Sequence, residues 1–183
     1  FETATPYYYS VLLEDYNVQA ECTVTAHSAL YRFSFPEGEN GSVVFHLSKD
    51  AKITIEGTST VYGSEIVDGV RMYFHAVFNS DFVTSGTWGD GSAISGSRAA
   101  SGDRIGGFIG FASGKDTRVE VRIGISFIDD TQAADNVSKE LAGRDFDDVI
   151  DSARTVWNEE LGRIQVEGGT DRQKKIFYTS LYR

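Results

Sequence analysis

The chain has 183 residues, 40% hydrophobic and 13% aromatic, enough apolar surface for one folded domain or one domain and a fragment, which excludes wholesale disorder. Its 27 acidic and 17 basic side chains leave a net charge of −10 with no basic cluster, the wrong sign for holding nucleic acid. No run approaches the roughly 20 consecutive apolar residues of a membrane span, and the single cysteine, Cys22, can form neither an intrachain disulfide nor a thiolate metal cluster.

Residues 7–128 read as strands. Residues 7–13 and 18–26 predict a hairpin around the polar turn 14–17, with Val18, Ala20, Cys22, Val24 and Ala26 alternating against Gln19, Glu21, Thr23 and Thr25 to give one dry face. Tyr31, Phe33 and Phe35 continue the pattern until Pro36, and residues 37–41 turn the chain. Residues 43–47 and 52–56 predict a second hairpin around Ser48, Lys49 and Asp50, followed by strands at 70–78, 105–111 and 118–127. Nine of the 19 glycines fall between Gly86 and Gly114, predicting one or two long irregular loops there. Strands at this spacing predict a mainly β fold, an antiparallel β-sandwich over residues 1–128.

From Asp129 the period changes to 3.6. Asp129 or Asp130 caps a helix to about Leu141, and Asp145 caps a second through Leu161, with Ile150, Ala153, Trp157 and Leu161 on one face. Ile164 and Val166 predict a short strand ending at Gly168 and Gly169. Thr170 and Gln173 then form a capping box opening a third helix, which turns Ile176, Phe177, Ser180 and Leu181 inward. Residues 129–169 thus form a helical linker with a short strand, and residues 170–183 open a further helical domain. An apolar face still running at Arg183, and a start at Phe1 without Met or leader, predict that the natural polypeptide extends beyond both ends.

Little in the chain spells chemistry. The glycines lack the following Lys and Ser or Thr of a phosphate loop, and no Gly-x-Ser-x-Gly elbow occurs. His27, His46 and His75 are too scattered to form a metal site. Two Asn-x-Ser triplets, at Asn40 and Asn136, matter in a host that glycosylates secreted proteins. Trp88, in Ser85-Gly86-Thr87-Trp88-Gly89-Asp90-Gly91, stands out. On an open glycine-flanked loop beside Asp90 it offers a flat apolar face and polar neighbours to a sugar; folded down, it would plug the end of the sheet.

Three stretches together resemble glycoside hydrolase family 92, the calcium-dependent exo-acting α-mannosidases. They are Thr5-Pro6-Tyr7-Tyr8-Tyr9-Ser10-Val11 with Thr23-Val24-Thr25-Ala26 and Tyr31-Arg32-Phe33-Ser34-Phe35-Pro36; Gly86-Thr87-Trp88 with Val119-Glu120-Val121-Arg122-Ile123-Gly124-Ile125-Ser126-Phe127; and Trp157-Asn158 through Gly168-Gly169-Thr170 to Phe177-Tyr178-Thr179-Ser180-Leu181-Tyr182. Tyr8 replaces the family's usual Gly, and Arg183 stands where the pattern often has His. The resemblance implies an N-terminal supersandwich-like domain packed on an (α/α)6 toroid that supplies the catalytic carboxylates and the calcium ligands. This chain then holds no catalytic residue and no metal ligand of its own. It implies a bacterial periplasmic or extracellular protein acting with inversion on terminal α-mannosides, with Trp88 as a substrate contact. The alternatives are a stand-alone carbohydrate-binding sandwich and a structural domain without ligand.

Overall fold

Alternating apolar residues build two antiparallel sheets in the computed structural model, which describes residues 2–89, 91–114 and 118–182. Thirteen strands occur among them: β1 (Glu2–Ala4), β2 (Tyr8–Leu13), β3 (Val18–Val24), β4 (Ser28–Ser34), β5 (Gly41–Leu47), β6 (Ala51–Glu56), β7 (Thr60–Val67), β8 (Val70–Phe78), β9 (Thr84–Gly89), β10 (Ser92–Ser95), β11 (Ala99–Gly102), β12 (Ile105–Phe111) and β13 (Arg118–Ser126). Three helices follow, α1 (Asp130–Leu141), α2 (Phe146–Leu161) and α3 (Asp171–Tyr182). The large sheet runs β1-β2-β3-β4-β13-β8-β7-β6-β11 and the small one β10-β9-β12-β5. The antiparallel sandwich and the helices expected after it are both present.

The two sheets enclose one core. Leu47, Ile105, Ile109 and Phe111 of the small sheet meet Ile53, Val61, Phe74, Phe78, Val119 and Val121 of the large one. The large sheet extends past the small one, so Tyr9, Leu13 and Val24 on the inner face of β2 and β3 stay 40, 43 and 38% exposed.

Several expectations change at this level. Residues 43–47 and 52–56 do not pair: β5 belongs to the small sheet and β6 to the large. Leu47 and Ala51 on either side of the turn are both buried in the same core, so residues 48–50 cross between the layers and do not fold a strand back on itself. The partner of β6 is β7, a strand the sequence reading omitted; β7 joins β8 through Asp68 and Gly69, both at positive φ (49° and 83°), as a two-residue hairpin turn requires. The glycine-rich stretch is ordered into β9 to β12. Strand β3 ends at Val24, short of Ala26, and has no wet face: Glu21 is half-buried and Thr23 buried, because α2 covers that side. Residues 164–166 join no strand among the described residues.

Helices α1 and α2 start where aspartates predicted. Asp129 accepts from the Gln132 amide at 2.7 Å and Asp145 from the Asp148 amide at 2.8 Å, satisfying first-turn donors. Helix α1 lies on β13 because Gly124 has no side chain; a Cβ there would collide with the Ala133 carbonyl oxygen. The Thr170–Gln173 capping box also forms, with the Thr170 amide donating to Gln173 Oε1 at 2.8 Å. Beyond it α3 departs from expectation. None of its described residues is buried, and Ile176 and Leu181 are 58 and 38% exposed where an inward face was expected, because α3 packs only lightly on α2. Trp157 is half-buried against Tyr182, ring centroids 5.0 Å apart, and is not a core residue.

Glu140 ties the end of α1 to the turn between β3 and β4. Its carboxylate accepts from the Thr25 hydroxyl, from the His27 amide at 3.0 Å, and contacts His27 Nδ1 at 2.8 Å. Burial pushes its pKa up, but these hydrogen bonds outweigh that and hold it below the ordinary carboxylate value. A folded-state pKa below the unfolded one stabilises the protein above the unfolded value, and the gain is lost as pH falls through the folded one. The thermal midpoint of the wild type is therefore expected to fall more steeply than that of Glu140→Gln as pH drops from about 5 to about 3. Parallel slopes in a pH series of melting curves would remove Glu140 from the linkage.

Candidate functional site

Trp88 lies in strand β9, where a glycine-flanked loop was expected. Alternation along β9 sends Thr87, 2% exposed, into the core and Trp88 to the outer face of the small sheet. Register places Gly106 of β12 directly beside Trp88 and His46 of β5 directly beside Gly106. The half-buried indole lies across Gly106, where any Cβ would strike Trp88 Nε1 and the Phe45 carbonyl oxygen. His46 sits against the indole with ring centroids 5.2 Å apart.

The same device recurs one row along, where Phe108 lies over Gly86. Gly106 and Gly86 on this face thus serve as floors on which the partly exposed rings of Trp88 and Phe108 lie. Val44, 63% exposed, borders Phe108. Trp88 is neither the flexible loop residue nor the sheet-end plug considered from sequence. Asp90, expected as its polar neighbour, lies outside the described residues. His46, Gly106 and Phe108 were missed, because cross-strand neighbours become visible only once residues 84–89 are recognised as a strand.

The other reactive side chains are committed to structure. His75 stacks on Tyr62, and burial holds its pKa below the ordinary histidine value. Cys22 is half-buried beside Tyr31; burial raises the thiol pKa and pushes that of the Tyr31 phenol up to about 12, so both stay neutral at pH 7. Among the described residues no three His, Cys, Asp or Glu side chains converge as metal ligands, so these residues do not fit a calcium site.

The fold and this face define a two-sheet sandwich followed by three helices, with aromatic rings on the outer face of the small sheet. Residues 1–126 match the glycosyl hydrolase family 92 N-terminal domain and residues 132–183 match the glycosyl hydrolase family 92 catalytic domain, and the chain belongs to that family. The second match takes in α1 and α2, expected from sequence as linker. Among solved structures, an inverting mannosidase of the family from Bacteroides thetaiotaomicron superposes on 99% of the chain with a TM-score of 0.92 at 32% identity. A second family 92 α-mannosidase from that organism gives 0.87 at 28% over the same share. A curated relative from the fungus Arthroderma benhamiae, named an uncharacterized secreted glycosidase, is 27% identical over 98% of the chain. The chain spans 26 and 27% of the two mannosidases and 28% of the fungal protein. No described helix is long and apolar enough to cross a membrane.

Proposed function

We infer that this chain is the sandwich domain and the opening helices of a longer, exo-acting α-mannosidase that inverts configuration at terminal α-mannosides outside the cytoplasm, in the periplasm or the extracellular medium. The observation that carries the reading is the superposition of 99% of the chain, at 32% identity, on an inverting family 92 mannosidase. The outer face of the small sheet supplies the chemistry this chain can offer. A mannose ring presents C–H groups on one face and hydroxyls at its edge, so an indole held flat on Gly106 offers it apolar contact without having to be ordered first.

Hydrolysis with inversion needs a carboxylic acid to protonate the leaving oxygen and a carboxylate to activate water on the opposite face. Both belong to the helical domain in this reading, as does the calcium, and no step is assigned to the acids of this chain. Trp88 acts through binding and positioning, as one wall of a pocket that the (α/α)6 domain of the same polypeptide completes. The stand-alone binding module is disfavoured by the catalytic-domain match over residues 132–183.

The experiment is product stereochemistry. The full-length protein, given an aryl α-mannoside and followed by proton NMR, is expected to release β-mannose first, with the α-anomer appearing only at the rate of mutarotation. Residues 1–183 alone are expected to release none. Initial release of α-mannose, or turnover by residues 1–183, refutes the assignment.

A further inference from the structure

The two Asn-x-Ser triplets meet opposite environments. Asn136 sits on α1, 8% exposed, with both ends of its amide in use: Nδ2 donates to the Ile125 carbonyl at 2.8 Å, and Oδ1 accepts from Gln132 Nε2 at 2.8 Å. It pins α1 to β13, and a substituent on Nδ2, 8% exposed with its residue, would have to pass between helix and sheet. Asn40 lies in the exposed turn before β5. Its Oδ1 accepts from the Ser113 amide at 3.0 Å. Because a backbone N–H can face only the oxygen of the carboxamide, this bond fixes the amide orientation and turns Nδ2 outward, where no described residue binds it. Ser42 is exposed too, and its hydroxyl has no described partner.

We propose that Asn40 is an acceptor for an N-linked glycan and that Asn136 is a structural asparagine in an unused triplet. The proposal rests on the extracellular placement inferred above. The donor is a polyprenyl-pyrophosphate-linked oligosaccharide. The bond from the sugar C1 to the pyrophosphate oxygen breaks and the bond from C1 to Asn40 Nδ2 forms. Nδ2 loses one proton, and the lipid pyrophosphate leaves with the electron pair of the broken bond. The Oδ1 contact to Ser113 survives, since only the nitrogen is substituted.

Asn40 also forms part of the rim of an open cleft floored by Phe33, Phe35 and Val43, with Tyr16 and Val44 at its edge, 72 and 63% exposed. A glycan at Asn40 shields this apolar opening at the end of the sandwich.

The test is secretion of the full-length protein from yeast behind an appended leader, with glycopeptide mapping by mass spectrometry. The leader imposes the secretory route, so the outcome does not depend on where the natural protein resides. Most secreted molecules are expected to carry a glycan on the Asn40 peptide and none on the Asn136 peptide. Ser42→Ala is expected to abolish the modification while sparing the Asn40–Ser113 bond, and Ser138→Ala to leave the glycan pattern unchanged. Secreted protein bare at Asn40, or folded protein glycosylated at Asn136, overturns the proposal.

Discussion

Replacing Arg32 with alanine is expected to cost about 3 kcal/mol of stability, the usual consequence of leaving one member of a buried ion pair alone. The guanidinium binds Glu21 through two hydrogen bonds of 2.7 Å and lies over the Phe146 ring, 4.0 Å from its centroid. Both partners are largely hidden, with side chains 17 and 13% exposed. Tyr8 donates a third hydrogen bond to Glu21 at 2.8 Å and meets Phe146 edge-on, so one cluster fastens β2, β3 and β4 to the first turn of α2. Arg32 is also the main reason Glu21 titrates below the ordinary carboxylate value, against the opposing push of burial. For a domain of this size the loss corresponds to about 6–12 °C in thermal midpoint. Arg32→Lys keeps the charge but not the fork or the flat stack, and falls between. Adding Glu21→Ala to Arg32→Ala is expected to recover part of the loss, as it removes the stranded carboxylate. Equal midpoints for Arg32→Ala and wild type would show that the cluster contributes nothing.

Trp88→Ala in the full-length enzyme is expected to lower kcat/KM for α-mannosides by about 10- to 100-fold, or about 1.4 to 2.7 kcal/mol of transition-state binding. Trp88→Phe keeps a flat ring on Gly106 and recovers most of it. The ring covers the outer face of the sheet and does not fill the core, so the midpoint changes little. A large fall in midpoint with unchanged kcat/KM would make the indole purely structural and move the sugar contact elsewhere.

The sequence carried some of these features and hid others for identifiable reasons. Helix starts at Asp129, Asp145 and Thr170 were legible because capping is local: one side chain bonds an amide three residues ahead. Strands β2, β4, β8, β12 and β13 were legible from period two. The hairpin falsely expected around Ser48 to Asp50 shows where that method fails, since the same short polar turn serves to reverse within a sheet or to cross between sheets, and only the partners distinguish them. Asp68-Gly69 was a readable hairpin signal passed over. Glycines 86 and 106 misled most, because glycine under a flat ring reads the same as glycine in a loop until the ring's strand is paired. Trp88 thus lies in a paired strand and not in the loop that its flanking glycines suggested.

The strand order has a consequence for the protein as it is made. Strand β4 pairs with β13, with eight strands coming between them in the chain, so the middle of the large sheet stays unclosed until Ser126 has been synthesised. At about 5–20 residues per second, that interval lasts on the order of ten seconds, far longer than a hairpin takes to form. Hairpins β2–β3 and β7–β8 therefore assemble early as two separate halves, each with an open edge, and β13 is the strand that joins them. Until it arrives, the β4 edge with Tyr31 and Phe33 is a template for pairing with another nascent chain, so crowding of ribosomes on one message is where this domain is most exposed to misassembly.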